Sequence, residues 1–222
     1  MYKNILIIAP HADDEILGCG GVISKYSKKK VNIYVAIMTN ASKGDKILFN
    51  QSKIKKIRQE CLTANNSLGV KKVFFNEFPA PRLDQYPLYK ISQKISKLIN
   101  QTKCETIFLP YENDIHKDHQ CIFQAALVAC RPINGTSIKN ILSYETLSET
   151  EWSSVSFQPN FYEILSDKDL KNKINAFETY KSQIKKDFHP RSISGIKNLA
   201  RYRGNNISKK NAEAFKIIRK IS

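Results

Sequence analysis

The sequence predicts an α/β fold of the Rossmann-like kind, with a mainly parallel sheet covered by helices on both faces. First, apolar runs alternate with amphipathic stretches through the first 145 residues, which is the pattern of successive βαβ units. Second, several of these runs are continuously apolar, as in strands that are buried on both faces. Third, polar segments rich in histidine and aspartate directly follow two of the runs, where open α/β sheets place their ligand sites.

The first 145 residues divide into five predicted strands and four predicted helices. Helix periodicity is clearest in 88–100, where isoleucine and leucine recur on one face. Gly69 directly follows the predicted helix 51–68 and is placed to end it. The predicted strands are 2–9, 31–39, 72–76, 106–109 and 140–145, and the predicted helices are 14–29, 51–68, 88–100 and 121–130.

The remaining residues predict a mixed C-terminal part. We expect a sixth strand at 160–165, a helix at 167–185 that opens with acidic residues, and short helices between 189 and 219. This segment is too short for an independent second domain. The sequence therefore predicts a single domain over 1–222, with an α/β core at 1–145 and a C-terminal part at 146–222 that packs on the core.

The chain carries a formal charge of +16 over 222 residues, which raises nucleic acid, anionic membranes and anionic small molecules as partners. Lysines also fill stretches that resemble ordinary solvated helix faces, and no arginine cluster or basic-aromatic run accompanies them. We therefore favour a compositional origin for most of the charge and expect no nucleic-acid partner. An anionic substrate stays open.

Five cysteines are present, an odd number with no Cys-x-x-Cys pair. Each lies in an apolar or helical pattern, so we expect reduced thiols and a cytoplasmic location. The chain begins with a predicted strand, so no signal peptide is expected. No apolar run approaches the roughly 18 residues that a membrane span needs, and the sequence leaves a homo-oligomer open.

The first polar segment follows the first predicted strand. The apolar run ends at Pro10, and His11, Asp13, Asp14 and Glu15 follow almost without a spacer. Glycines 18, 20 and 21 suggest a phosphate-binding loop as an alternative. They come after the acidic cluster instead of between strand and helix, so we assign them to close helix packing. Glu15 is interpreted as a first-turn residue favoured by the helix dipole.

The second polar segment, residues 111–119, follows the fourth predicted strand and Pro110. The two segments together hold three of the four histidines of the chain, namely His11, His116 and His119. Parallel strands end at the same edge of a sheet, so we expect the two segments to meet. The spacing His11 to Asp14, like that of His116 to His119, places both members of a pair on one face of a helical turn.

Two imidazoles and one carboxylate with an open position form the ligand set of a catalytic zinc site. We predict His11, Asp14 and His119 as the ligands. Asp13 points away from Asp14 and is predicted to be the general base for the attacking water. Asp118 is placed to hold the second ring nitrogen of a histidine. His116 is left as a general acid or an oxyanion donor. Solvated turn residues are the alternative for each cluster taken alone.

The two segments resemble motifs of the PIG-L/LmbE-like metal-dependent N-deacetylases. The segment His116-Lys117-Asp118-His119 matches the second motif of that family, His-x-Asp-His. The segment Pro10 to Glu15 is similar to Ala-His-Pro-Asp-Asp-Glu, with the proline before the histidine instead of after it. Residues 60–69, 180–183 and 189–191 extend the resemblance, as in bacterial sugar-type members, over nearly the full chain.

The resemblance implies a Rossmann-like hydrolase that removes an N-acetyl group from an amino sugar or an N-acetylglucosaminyl conjugate. It implies the same metal ligands, with Asp13 as the base and His116 assisting the transition state, and zinc as the metal, with iron(II) or another divalent ion as the alternative. Arg58 stands one position away from the usual arginine of the family. We propose Arg58, Arg82 and Tyr144 as substrate-binding or rim residues, and the loop 40–50 as a cover for the substrate.

Two other functions remain open from the residues themselves. A metal-dependent phosphoester hydrolase is one, although two-metal phosphatases use more bridging carboxylates than these segments offer. A non-catalytic nucleotide-binding or nucleic-acid-binding protein is the other. It would account for the charge and the parallel sheet, but not for the pairing of histidines with aspartates.

Overall fold

A seven-stranded sheet organises the chain in the computed structural model, which describes residues 2–135 and 137–221. The strand order is β3-β2-β1-β4-β5-β7-β6. The strands are β1 (Asn4–Ala9), β2 (Asn32–Asn40), β3 (Lys72–Pro79), β4 (Thr106–Pro110), β5 (Asn140–Tyr144), β6 (Phe161–Ile164) and β7 (Ala212–Lys220). The helices are α1 (Asp14–Ser27), α2 (Gln51–Ser67), α3 (Leu88–Thr102), α4 (Lys117–Ala129), α5 (Asp167–Glu178) and α6 (Ile193–Asn205).

The first five strands pair with one another in parallel, as the sequence predicted. Strands β1 and β4 lie side by side in the centre of the sheet, with Ile5 opposite Thr106 and Ile7 opposite Phe108. The two polar segments follow these two strands, so adjacent strand ends bring them to the same edge of the sheet.

Helices cover both faces of the sheet, as the side chains of β1 show: they alternate between two apolar clusters, one on each face. Ile5 and Ile7 join the cluster that holds α1, α2 and α5, whereas Leu6 and Ile8 join the cluster that holds α3 and α4. These four side chains are fully buried. The continuous apolar run of β1 thus reflects burial on both faces, and the predicted fold class is confirmed.

The C-terminal part differs from its prediction in two places. Residues 212–220 form strand β7, not a short helix, and β7 runs antiparallel between β5 and β6. The predicted helix at 167–185 ends at Glu178. Charged residues interrupt the apolar pattern of β7, and only its first half is buried, so its pattern did not indicate a strand. The division near residue 145 stays a prediction, although β7 joins the C-terminal part to the sheet of the core.

The glycines of α1 permit close packing, as predicted. A Cβ added at Gly18 would lie 2.2 Å from the ring of Tyr144, and one at Gly21 would lie 2.4 Å from Leu165. Such distances are far inside van der Waals contact. None of the helices within the described ranges combines the length and the apolar character needed to cross a bilayer.

Beside these glycines lies a buried ion pair that we call the Lys173–Glu213 cluster, formed by Lys173, Glu213 and the backbone of α1. The Lys173 ammonium donates to the Leu17 carbonyl oxygen at 2.6 Å and to Glu213 Oε1 at 2.7 Å. Glu213 in turn accepts from the backbone N–H groups of Gly21 and Val22 at 2.8 and 2.7 Å. The cluster therefore fixes α1 against α5 and β7.

Candidate metal centre

A sharp turn between β1 and α1 presents the first half of the site. Asp13 has a φ of 129°, a conformation that L-residues adopt only when the surroundings impose it. Its carbonyl oxygen accepts from the backbone N–H groups of Ile16 and Leu17, so the helix begins immediately after it. The backbone N–H of His11 donates to Asp14 Oδ2 at 2.9 Å. The turn thereby holds the imidazole and the Asp14 carboxylate together.

The first turn of α4 supplies the second half. His11 Nδ1 and His119 Nε2 each lie 3.3 Å from Asp14 Oδ2, and one ligand atom from each of the three residues lies within 4.8 Å of the others. Two ligand atoms bound at about 2.0–2.1 Å to a tetrahedral zinc ion are roughly 3.3–3.4 Å apart. The three predicted ligands are thus brought together at the spacing that a metal ion requires.

His119 gives the clearest sign that a group belongs here. Its Nδ1 lies 2.8 Å from Asp114 Oδ2, which leaves Nε2 as the free ring nitrogen. Nε2 is buried, and within the described residues it makes no well-formed hydrogen bond, although Asp14 Oδ2 lies 3.3 Å away. A buried polar atom without a good hydrogen bond is costly, and a cation bound between His119, His11 and Asp14 would remove that cost. The donor set also matches zinc or iron(II).

Two carboxylates orient the two imidazoles from behind. Asp118 Oδ2 lies 3.1 Å from His11 Nε2, and Asp118 Oδ1 accepts from the backbone N–H of Leu83 at 3.0 Å. Asp114 Oδ2 lies 2.8 Å from His119 Nδ1, and Asp114 Oδ1 accepts from the Thr150 hydroxyl. The sequence prediction gave Asp118 this kind of role and missed Asp114, which lies in the same polar segment. Such carboxylates fix the tautomer of a metal-binding histidine.

The surrounding charges favour a cation. Burial by itself would lower the pKa of His11, but hydrogen bonds to Asp118 and Asp14 outweigh it and raise that pKa to about 9. The same two carboxylates that stabilise an imidazolium would attract a divalent ion.

Asp13 lies beside this group and is held by a residue that the sequence prediction did not assign. Arg191 Nη1 donates to Asp13 Oδ2 at 3.1 Å, although the two residues are 178 positions apart in the sequence. Burial, followed by the neighbouring Asp14 carboxylate, raises the pKa of Asp13 to about 8, although Arg191 acts in the opposite direction. A carboxylate with such a pKa can accept a proton near neutral pH.

His116 caps α4, and its ring centroid lies 4.6 Å from that of His11 and 5.5 Å from that of His119. With His11 and Asp118 it forms a second group of described residues that could hold a metal ion. Its Nδ1 accepts from the backbone N–H of Asp118 at 3.1 Å, so the ring proton of the neutral imidazole is on Nε2. Burial, and then the positive charges of His11 and His119, lower the pKa of His116 to about 4. His116 lines the cavity in front of the cluster and therefore offers an N–H donor there.

Glu15 is a fully buried anchor, not only a first-turn residue. It accepts from the Tyr180 hydroxyl at 2.5 Å, from Asn65 Nδ2 at 2.8 Å and from the backbone N–H of Asp13 at 3.0 Å. Burial raises the pKa of Glu15. These bonds tie the strained turn at Asp13 to α2 and to the segment after α5.

A cavity of about 510 Å³ opens in front of the cluster, within the size range of small-molecule sites. Leu48 and Phe49 of the predicted covering loop line one side, and Glu149, Gln183 and Arg191 contribute polar groups. The arrangement can hold a small polar molecule with one group at the cluster. Whether the loop closes stays a prediction.

The three proposed substrate residues differ in their placement. Arg58 lines the cavity, where its Nη2 donates to Glu77 Oε1 at 2.6 Å. Arg82 is exposed and is not among the described residues that line the cavity, although Ala80 and Pro81 are. The prediction of a rim position for Tyr144 is wrong. Its side chain is fully buried against Gly18 of α1, and its hydroxyl donates to the Ile8 carbonyl oxygen at 2.9 Å. It therefore does not lie on the rim of the cavity.

Comparisons with known proteins found relatives in sequence and in fold. The chain is 28% identical over 184 residues to the uncharacterized deacetylase YaiS of Escherichia coli K12, covering 81% of this chain and 91% of YaiS. The solved N,N'-diacetylchitobiose deacetylase from Pyrococcus horikoshii superposes with a TM-score of 0.78 at 21% identity, covering 98% of this chain and 84% of that one. The solved 4-carboxy-2-hydroxymuconate hydratase GalB from Pseudomonas putida KT2440 shares the fold with a TM-score of 0.74 at 15% identity, covering 97% and 96%.

The last comparison shows that this fold alone does not select one reaction, so the family match has to rest on sequence. The family model described as PIG-L: GlcNAc-PI de-N-acetylase matches residues 6–130, which include His11, Asp13, Asp14, Asp118 and His119. This match spans more than half of the chain and both polar segments. The chain belongs to the PIG-L family of de-N-acetylases.

Proposed function

We propose that this protein is a zinc-dependent N-deacetylase that hydrolyses the amide of an N-acetyl amino sugar, or of an N-acetylglucosaminyl conjugate, and releases acetate. One observation carries the proposal. His11 Nδ1 and His119 Nε2 each lie 3.3 Å from Asp14 Oδ2, the three residues offer ligand atoms within 4.8 Å of one another, and His11, Asp13 and Asp14 line the cavity beside them.

His11, Asp14 and His119 would hold the metal, and Asp114 and Asp118 would orient the two imidazoles. A bound zinc ion supplies Lewis acidity, which lowers the pKa of water and polarises a carbonyl oxygen. Two imidazoles and a carboxylate also suit iron(II), so the metal content of the purified protein decides between the two ions.

Asp13 would accept the proton of the attacking water. Its backbone is strained, with a φ of 129°, and Arg191 Nη1 donates to one of its carboxylate oxygens at 3.1 Å. Because that side chain is held before substrate arrives, little reorganisation is needed in the transition state. The protonated Asp13 carboxyl would then give its proton to the departing amine.

His116 would donate a hydrogen bond to the oxygen that becomes negatively charged. Its Nδ1 is occupied by the backbone N–H of Asp118, so Nε2–H is the group available to the cavity. A neutral N–H donor of this kind stabilises an oxyanion without a proton transfer. This favours the oxyanion role over the general-acid role that the sequence left open.

The alternatives fit less well. A two-metal phosphoesterase needs carboxylates that bridge a pair of ions, but Asp114 and Asp118 face imidazole nitrogens. A nucleotide-binding protein has no use for a buried imidazole nitrogen without a partner. A hydratase remains compatible with the fold and a metal, so the released product must be identified.

The proposal is tested by elemental analysis followed by acetate measurement. We expect close to one zinc or iron per chain, acetate release from N-acetylglucosamine conjugates, loss of release after chelation, and recovery when the metal is restored. Metal at this stoichiometry with no acetate from any N-acetyl sugar would contradict the deacetylase function. Acetate release that survives complete removal of the metal would contradict the metal role.

We also propose a cytoplasmic location, supported by Cys19, Cys61, Cys104 and Cys121, which form no disulfide. A homo-oligomer stays open. Neither proposal affects the chemistry at the cluster.

A further inference from the structure

Glu149 is a carboxylate of the active-site cavity that the proposed mechanism does not use. It lines the cavity together with His11, Asp13 and Asp14, and its side chain is partly exposed. Within residues 2–135 and 137–221 its carboxylate makes no hydrogen bond and no ion pair. The acceptor sites of both carboxylate oxygens are therefore free for a ligand in the cavity.

The two nearest glutamates in the sequence differ from Glu149 in this respect. Glu145 accepts from Arg203 Nε and Nη2 at 2.8 and 2.6 Å. Glu151 accepts from the backbone N–H of Ser148 at 2.7 Å. Both of these carboxylates stabilise the fold through partners of their own. Of the three glutamates in residues 145–151, Glu149 is thus the one whose carboxylate the described part of the chain leaves unpaired.

The turn that carries Glu149 is fixed relative to the histidine–aspartate site. Ser148 has a φ of 76°, a left-handed conformation that is costly for a residue other than glycine and persists only where the surroundings impose it. The Thr150 hydroxyl donates to Asp114 Oδ1 at 2.5 Å. Asp114 is the carboxylate that orients His119, so this turn is tied directly to a predicted metal ligand.

The charges around Glu149 indicate what kind of group it can bind. Burial raises the pKa of its carboxyl group, and the next largest effects come from His119, which lowers that pKa, and from Asp14, which raises it. Charges more than about 10 Å apart are largely screened, so Glu149 lies close to the cluster. Because Asp13 and Asp14 line the same cavity, an anion is disfavoured beside Glu149. A hydroxyl group fits, since it donates a charge-assisted hydrogen bond to a carboxylate.

We propose that Glu149 accepts a hydrogen bond from the 3-hydroxyl of the amino sugar and so selects sugars with a free hydroxyl beside the N-acetyl group. This inference rests on the proposed deacetylase function and assigns it a specificity-determining residue. Hydrolysis requires the N-acetyl group on C2 to lie at the cluster. In a glycoside O1 carries the attached group and has no proton to donate. The 3-hydroxyl is then the donor next to the reacting group, within reach of a carboxylate close to the cluster.

The test measures kcat/KM of the metal-loaded protein for methyl N-acetylglucosaminide and for its 3-deoxy and 6-deoxy analogues. We call kcat/KM for the parent sugar divided by that for the 3-deoxy analogue the 3-deoxy ratio. It should be about 10 to 100 in the unmodified protein, because the analogue leaves the Glu149 carboxylate without its donor. The same ratio for the 6-deoxy analogue serves as the reference.

The variant Glu149→Ala should bring the 3-deoxy ratio close to one and leave the 6-deoxy ratio unchanged. Its loss on the parent sugar should appear mainly in KM, because the 3-hydroxyl is not a reacting group. Glu149→Gln keeps the shape of the side chain but offers a weaker, neutral acceptor, so its 3-deoxy ratio should lie between the two. Metal content should stay at the level of the unmodified protein in both variants.

Glu151→Gln is the matched control. It removes one negative charge from the same turn, keeps an oxygen that can accept from Ser148, and lies outside the described residues that line the cavity. The 3-deoxy ratio of this variant should stay within about twofold of the unmodified protein, because an exposed charge is screened by solvent and salt. The control separates the contact of Glu149 from the effects of net charge and of the turn.

The outcomes distinguish this inference from the function on which it rests. An unchanged 3-deoxy ratio in Glu149→Ala, or an equal fall in Glu151→Gln, would overturn the assignment and leave the deacetylase intact. Loss of metal from Glu149→Ala would also overturn it, because Glu149 would then hold the metal and not the sugar. Absence of acetate from every N-acetyl sugar would overturn the function and the assignment together. A selective fall of the 3-deoxy ratio in Glu149→Ala supports the assignment.

Discussion

Two buried polar clusters contact α1, one at its start and one farther along it, and they differ in how completely their polar groups are paired. In the Lys173–Glu213 cluster the lysine and the glutamate bond to each other and to α1, and the adjoining cavity, about 10 Å³, is only water-sized. In the histidine–aspartate cluster, formed by His11, Asp14 and His119 with their supporting carboxylates, one buried ring nitrogen has no hydrogen-bond partner among the described residues. That cluster opens on about 510 Å³.

This difference suggests two roles for buried charged groups. The Lys173–Glu213 cluster stabilises the packing, and the histidine–aspartate cluster is suited to bind a ligand. A paired and enclosed cluster fixes the packing of the elements that supply it. A cluster with a buried ring nitrogen that lacks a good hydrogen bond, beside a cavity lined by His11 and Asp14, has stabilisation left to gain, and a ligand can provide it. Variants of the two clusters should therefore affect different measured quantities, and the predictions that follow run from the largest expected effect to the smallest.

Replacing His119 with alanine should cause the largest loss. The variant removes a predicted ligand from the centre of the cluster, so we expect metal content to fall far below one per chain and acetate release to fall to the level of the chelated protein. Elemental analysis and acetate assays measure both quantities, and circular dichroism checks folding. Full metal content and full activity in a folded His119→Ala protein would contradict the ligand assignment.

Replacing Asp13 with asparagine or alanine should separate chemistry from metal binding. We expect kcat to fall about 10³-fold, within the range for loss of a general base, while metal content stays near one per chain. Arg191→Lys is the companion variant and should have a smaller effect, because it keeps the charge beside Asp13 but loses the fixed fork of the guanidinium. Loss of metal from the Asp13 variants would instead mean that Asp13 and Asp14 have exchanged roles.

Replacing Lys173 with methionine should act on stability instead. It leaves Glu213 buried without its cation, so we expect the free energy of unfolding to fall by about 3–5 kcal/mol. Denaturant titration measures this, and Lys173→Met/Glu213→Gln should recover part of the loss. Metal affinity of the folded protein should change less than twofold. A Lys173→Met protein that keeps its stability and loses its metal would reverse the contrast between the clusters.

Replacing Asp114 or Asp118 with asparagine should weaken metal binding without abolishing it. Each carboxylate orients one imidazole, and loss of such a partner typically costs 10–100-fold in metal affinity. Competition with a chelator of known affinity measures the change. Asp84→Asn, at an exposed position, is the control. Equal affinity in all three variants would show that the imidazoles keep their orientation without these carboxylates.

The smallest effect concerns the pH dependence of stability at Asp169. Burial raises its pKa, but the Lys28 ammonium and the hydroxyls of Ser166 and Ser24 outweigh this and lower the pKa below its ordinary value. A lowered folded-state pKa contributes stability at neutral pH that is lost as the pH falls below about 4. Asp169→Asn should therefore cost about 1 kcal/mol at pH 7 and less at pH 3. Denaturant titrations at the two pH values check this, and an equal cost at both would contradict it.

Much of the fold and half of the site depend on local sequence, which is why they could be predicted. Continuous apolar runs give buried parallel strands, and the polar residues after β1 and β4 necessarily reach one edge of the sheet. The spacing of His11 and Asp14 within one turn keeps their side chains together. These features need only strand direction and helical periodicity.

The tertiary structure decided which distant groups meet. Arg191 reaches Asp13, Tyr180 reaches Glu15, and Asp118 pairs with His11 instead of a neighbour in its own segment. These contacts join positions more than 100 residues apart, and no periodic pattern encodes them. Strand β7 and the burial of Tyr144 belong to the same class, because both follow from the space that neighbouring elements leave. The sequence by itself determined most of the strands and the candidate metal ligands, and only the folded chain decided how those residues are held, because long-range packing fixes orientation.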